Sequence, residues 1–344
     1  VLRNNVIYTG FCEWRLDIAR AEGSWLWTAA GDKLIDFTSG WNVANLGWNH
    51  PEINQAVIDA IGAKTHGSMW VGNEMVNDYA KNLTDALPPE LRAVGRATGG
   101  SEAIEEALKT ARAFTGRSKI IGFRGTYHGQ SYGAMSIYAE PADVPSIAPL
   151  LPEFYQFQFP ETKPGLEDKI LDDFRKKLES SLAKKDVAAV VAEAGIVTGN
   201  GLLQIAPKGF LKLIREVSEK YGTLLILDEV GTGFSRCGRL FALELESVVP
   251  DIICLAKGMS NGIAPIGGMV TKGNIAEQTY GKSEIGSTFG WLPIAAAAAA
   301  KTLEIHQREK LWEKAEATGQ YITQTLKNQL KNNPKVQGVR GVGM

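Results

Sequence analysis

Five short apolar segments run through the middle of this chain: Arg92 to Thr98, Lys119 to Phe123, Val187 to Glu193, Thr223 to Leu227 and Ile252 to Leu255. Amphipathic stretches lie between them, Leu166 to Ala183 and Gly209 to Tyr221 being the clearest. Strands that alternate with helices require a mostly parallel sheet with helices on its faces, which is an α/β fold. Open sheets of this kind bind ligands beyond the carboxyl ends of their strands. The residues that follow each segment are therefore the first place to look for chemistry. A chain of 344 residues, 44% apolar and 22% charged, has material for about two domains and an ample core. Its net charge of −1 gives no electrostatic footprint for nucleic acid or an anionic membrane.

Lys257 follows the last of these segments and opens the glycine-punctuated turn Lys257-Gly-Met-Ser-Asn-Gly262. Asp228 follows Thr223-Leu-Leu-Ile-Leu. An amine and a carboxylate delivered at neighbouring strand ends suit pyridoxal phosphate, which takes the lysine as a Schiff base and the aspartate on its pyridinium nitrogen. Each residue alone has a plainer reading. A lysine after a strand is commonly a solvated loop residue, and an Asp-Glu pair there commonly marks a metal or nucleotide site.

Arg96-Ala-Thr-Gly-Gly100-Ser101-Glu-Ala reads as a strand end, a tight turn and a helix start. Ala103, Ile104, Ala107, Leu108, Ala111 and Phe114 recur at helical spacing and form one apolar face. The amides of Gly100 and Ser101 would then favour a phosphate, with the Ser101 hydroxyl as a further donor. Glu102, Glu105 and Glu106 crowd the same turn and would repel an anion unless they point away. An ordinary helix start fits the same residues. In Gly125-Thr-Tyr127-His128-Gly129, Tyr127 can lay its ring on a planar cofactor, or it can be a packed tyrosine in a surface turn.

Together these segments resemble the class III, or omega, aminotransferases of the aspartate-aminotransferase superfamily. The resemblance rests on Gly100 to Ala103, Tyr127 to Gly129, Leu227 to Arg236, Pro250 to Ile252 leading to Ala256-Lys257-Gly258, and Gly286 to Gly290. It implies a PLP-dependent transferase of fold type I: a mostly parallel central sheet with flanking helices, and a small domain built from both chain ends. It implies pyridoxal 5′-phosphate as cofactor, and ping-pong transfer of an amino group from a primary amine or omega-amino acid donor to a keto-acid acceptor. It also implies a homodimer with shared active sites. Lys257 and Asp228 would be catalytic. Gly100, Ser101, Tyr127, His128, Glu193 and Val230 would join them around the cofactor, with Tyr127 and Val230 on opposite ring faces. Ser287 and Thr288 would reach the phosphate of the neighbouring subunit. Glu193 would buttress the cofactor's surroundings, although a plain strand-end carboxylate fits as well. Other chemistry on the same fold (aminomutase, decarboxylase or epimerase) and a non-enzymatic scaffold stay open at this point.

Departures from the family bear on the substrate. Gln130 stands where many relatives carry an arginine for a substrate carboxylate, and a neutral amide cannot form a bidentate charged pair. Gly231 stands where many carry glutamine, and the stretch after Glu193 lacks the second glutamate of the ornithine-like branch. Trp291 replaces a smaller residue and is expected to line or crowd the entrance. Trp41 and Trp70 are expected to wall the pocket, with core or interface positions the alternative. An aromatic-lined pocket favours amines or omega-amino acids with an apolar part.

The expected division is residues 1–45 as the N-terminal part of the small domain, 46–305 as the large domain, and 306–344 as a linking helix and the start of a C-terminally truncated small domain. Lys335 to Met344 resembles the strand with which that last part begins. The chain opens on Val1 rather than methionine, which leaves room for a missing N-terminus. Cys12, Cys237 and Cys254 have no paired or metal-ligand spacing, and the four histidines form no zinc motif, so no metal site is expected and a reducing, cytoplasmic setting fits. No apolar run approaches a membrane span.

Overall fold

A computed structural model describes residues 16–63, 72–199 and 203–344, together with the short strands Leu2–Arg3 and Val6–Ile7. Three N-terminal strands, β1 (Ile18–Glu22), β2 (Trp25–Thr28) and β3 (Lys33–Ile35), form a small antiparallel sheet. The central sheet has seven strands: β4 (Leu91–Ala97), β5 (Lys119–Arg124), β6 (Phe154–Gln158), β7 (Val187–Glu193), β8 (Leu224–Asp228), β9 (Ile252–Leu255) and β10 (Gly267–Lys272). Their spatial order is β4-β10-β9-β8-β7-β5-β6. β10 runs antiparallel to both neighbours, and the other described pairings are parallel. This is the type I transferase architecture that the sequence suggests.

β7, β8 and β9 are buried along their whole length because both faces of the sheet are covered. Side-chain alternation sends Ile226, Ile252 and Cys254 toward one cluster, with Ala103, Ile104, Ala107 and Ala111 of helix α3 (Gly100–Thr115). Leu225, Leu227, Ile253 and Leu255 enter the other cluster. There they join residues of α2 (Glu74–Asp85), α4 (Glu167–Leu182), α5 (Phe210–Tyr221) and α7 (Pro293–Arg308). The α1 helix (Pro51–Ala63) packs on α7, and α6 (Gly273–Thr279) on α3. The last helix is α8 (Leu311–Leu330), and the residues after it form no strand, a correction to the reading of Lys335 to Met344. No helix among the described residues is long and apolar enough to cross a membrane.

Two strands of the central sheet escape the sequence reading, as do the three short N-terminal ones. β6 lies inside the proline-rich stretch from Glu140 to Gly165, which reads as irregular. It is an edge strand with Tyr155 exposed, so its pattern lacks the continuous apolar run of its neighbours. β10 opens on Gly267-Gly268, a weak strand signal. Gly267 is needed because a Cβ there would lie 2.6 Å from the backbone of Gly99. The glycine turn at the head of α3 thus rests directly on β10.

Candidate active site

The carboxyl ends of β4, β5, β7, β8 and β9 converge on a cavity of about 420 Å³. Thr98, Gly99, Gly100 and Ser101 line it from the head of α3. Tyr127, His128 and Gly129 enter from the loop after β5, Glu193 and Thr198 from β7 onward, Asp228 and Val230 from β8, and Lys257 from β9. Lys257 sits in the left-handed backbone region, with φ 45°, at the first residue of a single tight turn. Burial pushes its amine below the ordinary lysine range, and Arg236 adds to that push, against the raising influence of Asp228 and Glu193.

The carboxylate of Asp228 is held on two sides. Oδ1 accepts from the Val230 amide at 2.9 Å, and Oδ2 lies 2.7 Å from His128 Nδ1. A carboxylate only accepts, so the histidine carries its proton on Nδ1. Glu229, next in sequence, points to the other face, where it accepts the amides of Ala242 and Leu243 at 2.6 and 2.7 Å. Strand alternation thus splits the Asp-Glu pair into one group for the cavity and one for the core.

Glu193 is buried and pushed up to about 7, chiefly by burial. It accepts the Tyr127 amide at 3.2 Å and the Thr198 amide at 2.8 Å, tying two cavity loops together. Gly129, with φ 130°, lets its loop pass where a Cβ would meet Ser101 Oγ at 2.1 Å. Gly100 faces Val230, whose methyls would crowd any side chain there.

No side chain caps α3, so the first amides of the helix are left for an anion at the cavity. The three glutamates of this turn point elsewhere. Glu102 reaches back to the amide and hydroxyl of Thr98 at 2.6 and 2.7 Å, Glu105 accepts the Ala134 amide at 3.0 Å, and Glu106 is buried. An uncapped helix start, a carboxylate with a fixed partner and an amine with a depressed pKa share one cavity, which fits a phosphorylated pyridine aldehyde. Among the described residues no group of three His, Cys, Asp or Glu could hold a metal ion.

The family model "Aminotransferase class-III" matches residues 11–344. The chain belongs to the class-III aminotransferases. Its cofactor is accordingly pyridoxal 5′-phosphate, and its reaction is transfer of an amino group between an amine donor and a keto-acid acceptor. Acetylornithine aminotransferase of Methanopyrus kandleri is 36% identical to this aminotransferase over 94% of the chain and 78% of that protein. The 5-aminovalerate aminotransferase DavT of Pseudomonas aeruginosa is 32% identical over 94% of the chain and 76% of that protein. Among solved structures, a thermostable (S)-enantioselective omega-transaminase from Thermomicrobium roseum superposes with a TM-score of 0.89 at 33% identity, covering 96% of this chain and 77% of that one. A PLP-bound amine transaminase from an uncultivated Pseudomonas species superposes with a TM-score of 0.93 at 27% identity, covering 100% and 83%.

Eight residues singled out from the sequence meet in this aminotransferase's cavity: Gly100, Ser101, Tyr127, His128, Glu193, Asp228, Val230 and Lys257. Trp291 and Trp41 do not join them. Trp291 is 1% exposed, stacks on Tyr79 at 4.8 Å between centroids and donates to the Gly267 carbonyl at 2.7 Å. It is a core residue rather than part of the entrance, a correction to the sequence reading. Trp41 is half-exposed and outside the cavity lining, where Val43 of the same segment stands. Trp70 lies outside the described residues. Gln130 is exposed at the rim, its amide nitrogen 3.2 Å from the Tyr127 hydroxyl. Ser287 and Thr288 are absent from the lining of their own chain's cavity. Thr98 and Thr198 escape the sequence reading. Thr98 directly precedes the glycine turn and could be found that way, whereas nothing local marks Thr198.

Proposed function

We propose that this class-III aminotransferase acts on primary amines or omega-amino acids carrying an apolar portion, with Lys257 and Asp228 as its catalytic pair. The observation that carries the assignment of the pair is their convergence with the uncapped start of α3 in one cavity. Bound pyridoxal phosphate supplies an aldehyde for amines and a ring that takes up the electron pair released at the substrate carbon. Lys257 is the covalent anchor and then, once free, the base that moves the substrate's proton; its depressed pKa keeps more of the amine neutral. Asp228 would hold the protonated pyridine nitrogen, and His128 fixes its carboxylate. Val230 and Tyr127, both on the cavity wall, would hold the ring. The Gly100 and Ser101 amides, with the Ser101 hydroxyl, bind the phosphate.

The apolar side chains of Val43, Ala264 and Ile266 on the cavity wall support the substrate class. Gln130 supports the amine side of this class, because a neutral amide gives a substrate carboxylate no charged partner. A panel of amine donors with pyruvate and 2-oxoglutarate as acceptors tests this reading. Amines with apolar portions should outrun acetylornithine, the substrate in the name of the Methanopyrus relative. The reverse order would overturn it.

The same reading includes a homodimer with sites completed by Ser287 and Thr288 of the second copy, and residues 1–45 and 306–344 grouped in a small domain beside residues 46–305. Phe289 at 61% exposed and Tyr280 at 89% support a covered face there. Mixing Lys257→Ala with a Thr288→Trp variant should restore part of the activity, because one composite site in each mixed dimer carries neither lesion. No recovery after demonstrated subunit exchange would contradict shared sites. Buried free thiols at Cys237 and Cys254 support a reducing, cytoplasmic setting.

A further inference from the structure

Glu106 is a buried carboxyl to which the reading above gives no task. It lies on α3 beneath the glycine turn, 2% exposed, and neither oxygen has a hydrogen-bond partner of good geometry. Its space exists because Gly95 lacks a side chain: a Cβ there would stand 2.6 Å from Oε2. Met269 of β10 closes the same space from beside it. The charged groups acting on it are Glu102 and Lys109 of its own helix and Arg96 of β4. β9 contributes the Cys254 thiol, which Glu106 pushes further up. The segment after α6 contributes the Gly286 amide, turned toward the carboxyl. One turn earlier on α3, Glu102 accepts from the hydroxyl of Ser287. Two carboxyls stacked along one helix therefore meet two successive residues of a single loop.

We propose that Glu106 is a positioning residue: with Glu102 it seats the Gly286–Ser287 loop on α3, and its proton sets how strongly the head of that helix holds the cofactor's phosphate. This rests on the assignment of the phosphate to Gly100 and Ser101. The two glutamates are held in opposite states. Burial tends to raise Glu102, but hydrogen bonds from Thr98 and Ser287 together outweigh it and keep the carboxyl below the ordinary range. Burial, then repulsion by Glu102, pushes Glu106 up to about 7. Protonated, Glu106 is a neutral wedge and can donate. Ionised, it adds a charge about 7–8 Å along the helix axis from Ser101, which opposes a dianion there. At an effective dielectric of about 60, close to that of bulk water as an open cavity allows, that opposition amounts to about tenfold in affinity.

The test uses the apoprotein and its Glu106→Gln variant, with pyridoxal phosphate and inorganic phosphate as separate probes at pH 6 and pH 8.5. Comparing proteins at each pH cancels the titration of the probe. The expected result is equal affinity at pH 6 and about tenfold tighter binding by the variant at pH 8.5. The same variant-to-wild-type ratio at both pH values would overturn the proposal. Thermal melts of the two apoproteins provide a check independent of any probe. A carboxyl whose folded pKa is raised stabilises the fold below its unfolded pKa and loses that contribution as pH rises toward 7. Wild type should fall behind Glu106→Gln across that window, and parallel melting profiles would also overturn the proposal. Failure of the underlying site assignment reads out differently: Ser101→Ala would leave the affinity for both probes unchanged at either pH.

Discussion

His128 Nδ1 lies 2.7 Å from Asp228 Oδ2, and both side chains are buried. This contact, with the Val230 amide on the other oxygen, leaves the carboxylate one orientation. Replacing His128 by phenylalanine keeps the ring volume and removes the donor. A lost hydrogen bond to a buried charge costs about 1–3 kcal/mol, so kcat should fall by about 10–100-fold. Asp228→Asn should cost more, since the amide keeps the shape but cannot stabilise a protonated pyridine nitrogen. Both variants should still bind pyridoxal phosphate. Steady-state kinetics beside cofactor titration checks this, and wild-type turnover in Asp228→Asn would remove that residue from its assigned role.

Gln130 meets the Tyr127 hydroxyl at the cavity rim. Gln130→Arg places a guanidinium where a bidentate carboxylate partner can form. The ratio of kcat/KM for an omega-amino acid over a matched simple amine should rise about tenfold. An unchanged ratio would show that the substrate's far end does not pass this residue.

Acid sensitivity should carry the mark of His306. It is fully buried on α7, its Nδ1 2.8 Å from Ser235 Oγ, and burial pushes its pKa down to about 3. A histidine depressed in the fold binds its proton more readily when unfolded. Its neutral form therefore favours the fold above about pH 6.5, and stability is lost as pH falls from there toward 3. The loss should approach about 1.4 kcal/mol per pH unit in that window. Denaturant titrations of wild type and His306→Leu from pH 7 to pH 4 test it: the wild-type disadvantage should grow with acidity, and a constant difference would contradict the buried neutral imidazole.

The parts of the site legible in the sequence are those fixed by strand ends. Lys257, Asp228 and Glu193 each follow a continuous apolar run, the Gly100–Ser101 turn closes the more mixed Arg92-Ala-Val-Gly-Arg-Ala-Thr98, and a parallel sheet brings such ends to one edge. The tryptophans were not legible in that way. A large aromatic after a glycine turn carries no mark of which side it faces, and Trp291 turns inward because the Gly267 carbonyl and Tyr79 receive it. β6 and β10 escaped for a related reason, since an edge strand and a glycine-led strand lack the apolar run that marks a central one. The importance of Glu106 needed the space above Gly95, which only the packed sheet reveals.

The central claim is that Lys257 carries the cofactor. Borohydride reduction of the holoenzyme, followed by proteolysis and mass mapping, tests it most directly. A single phosphopyridoxyl adduct is expected on the peptide containing Lys257, and none in Lys257→Ala. An adduct on another lysine of the wild-type chain, or a reducible adduct retained at that peptide in the variant, would contradict it.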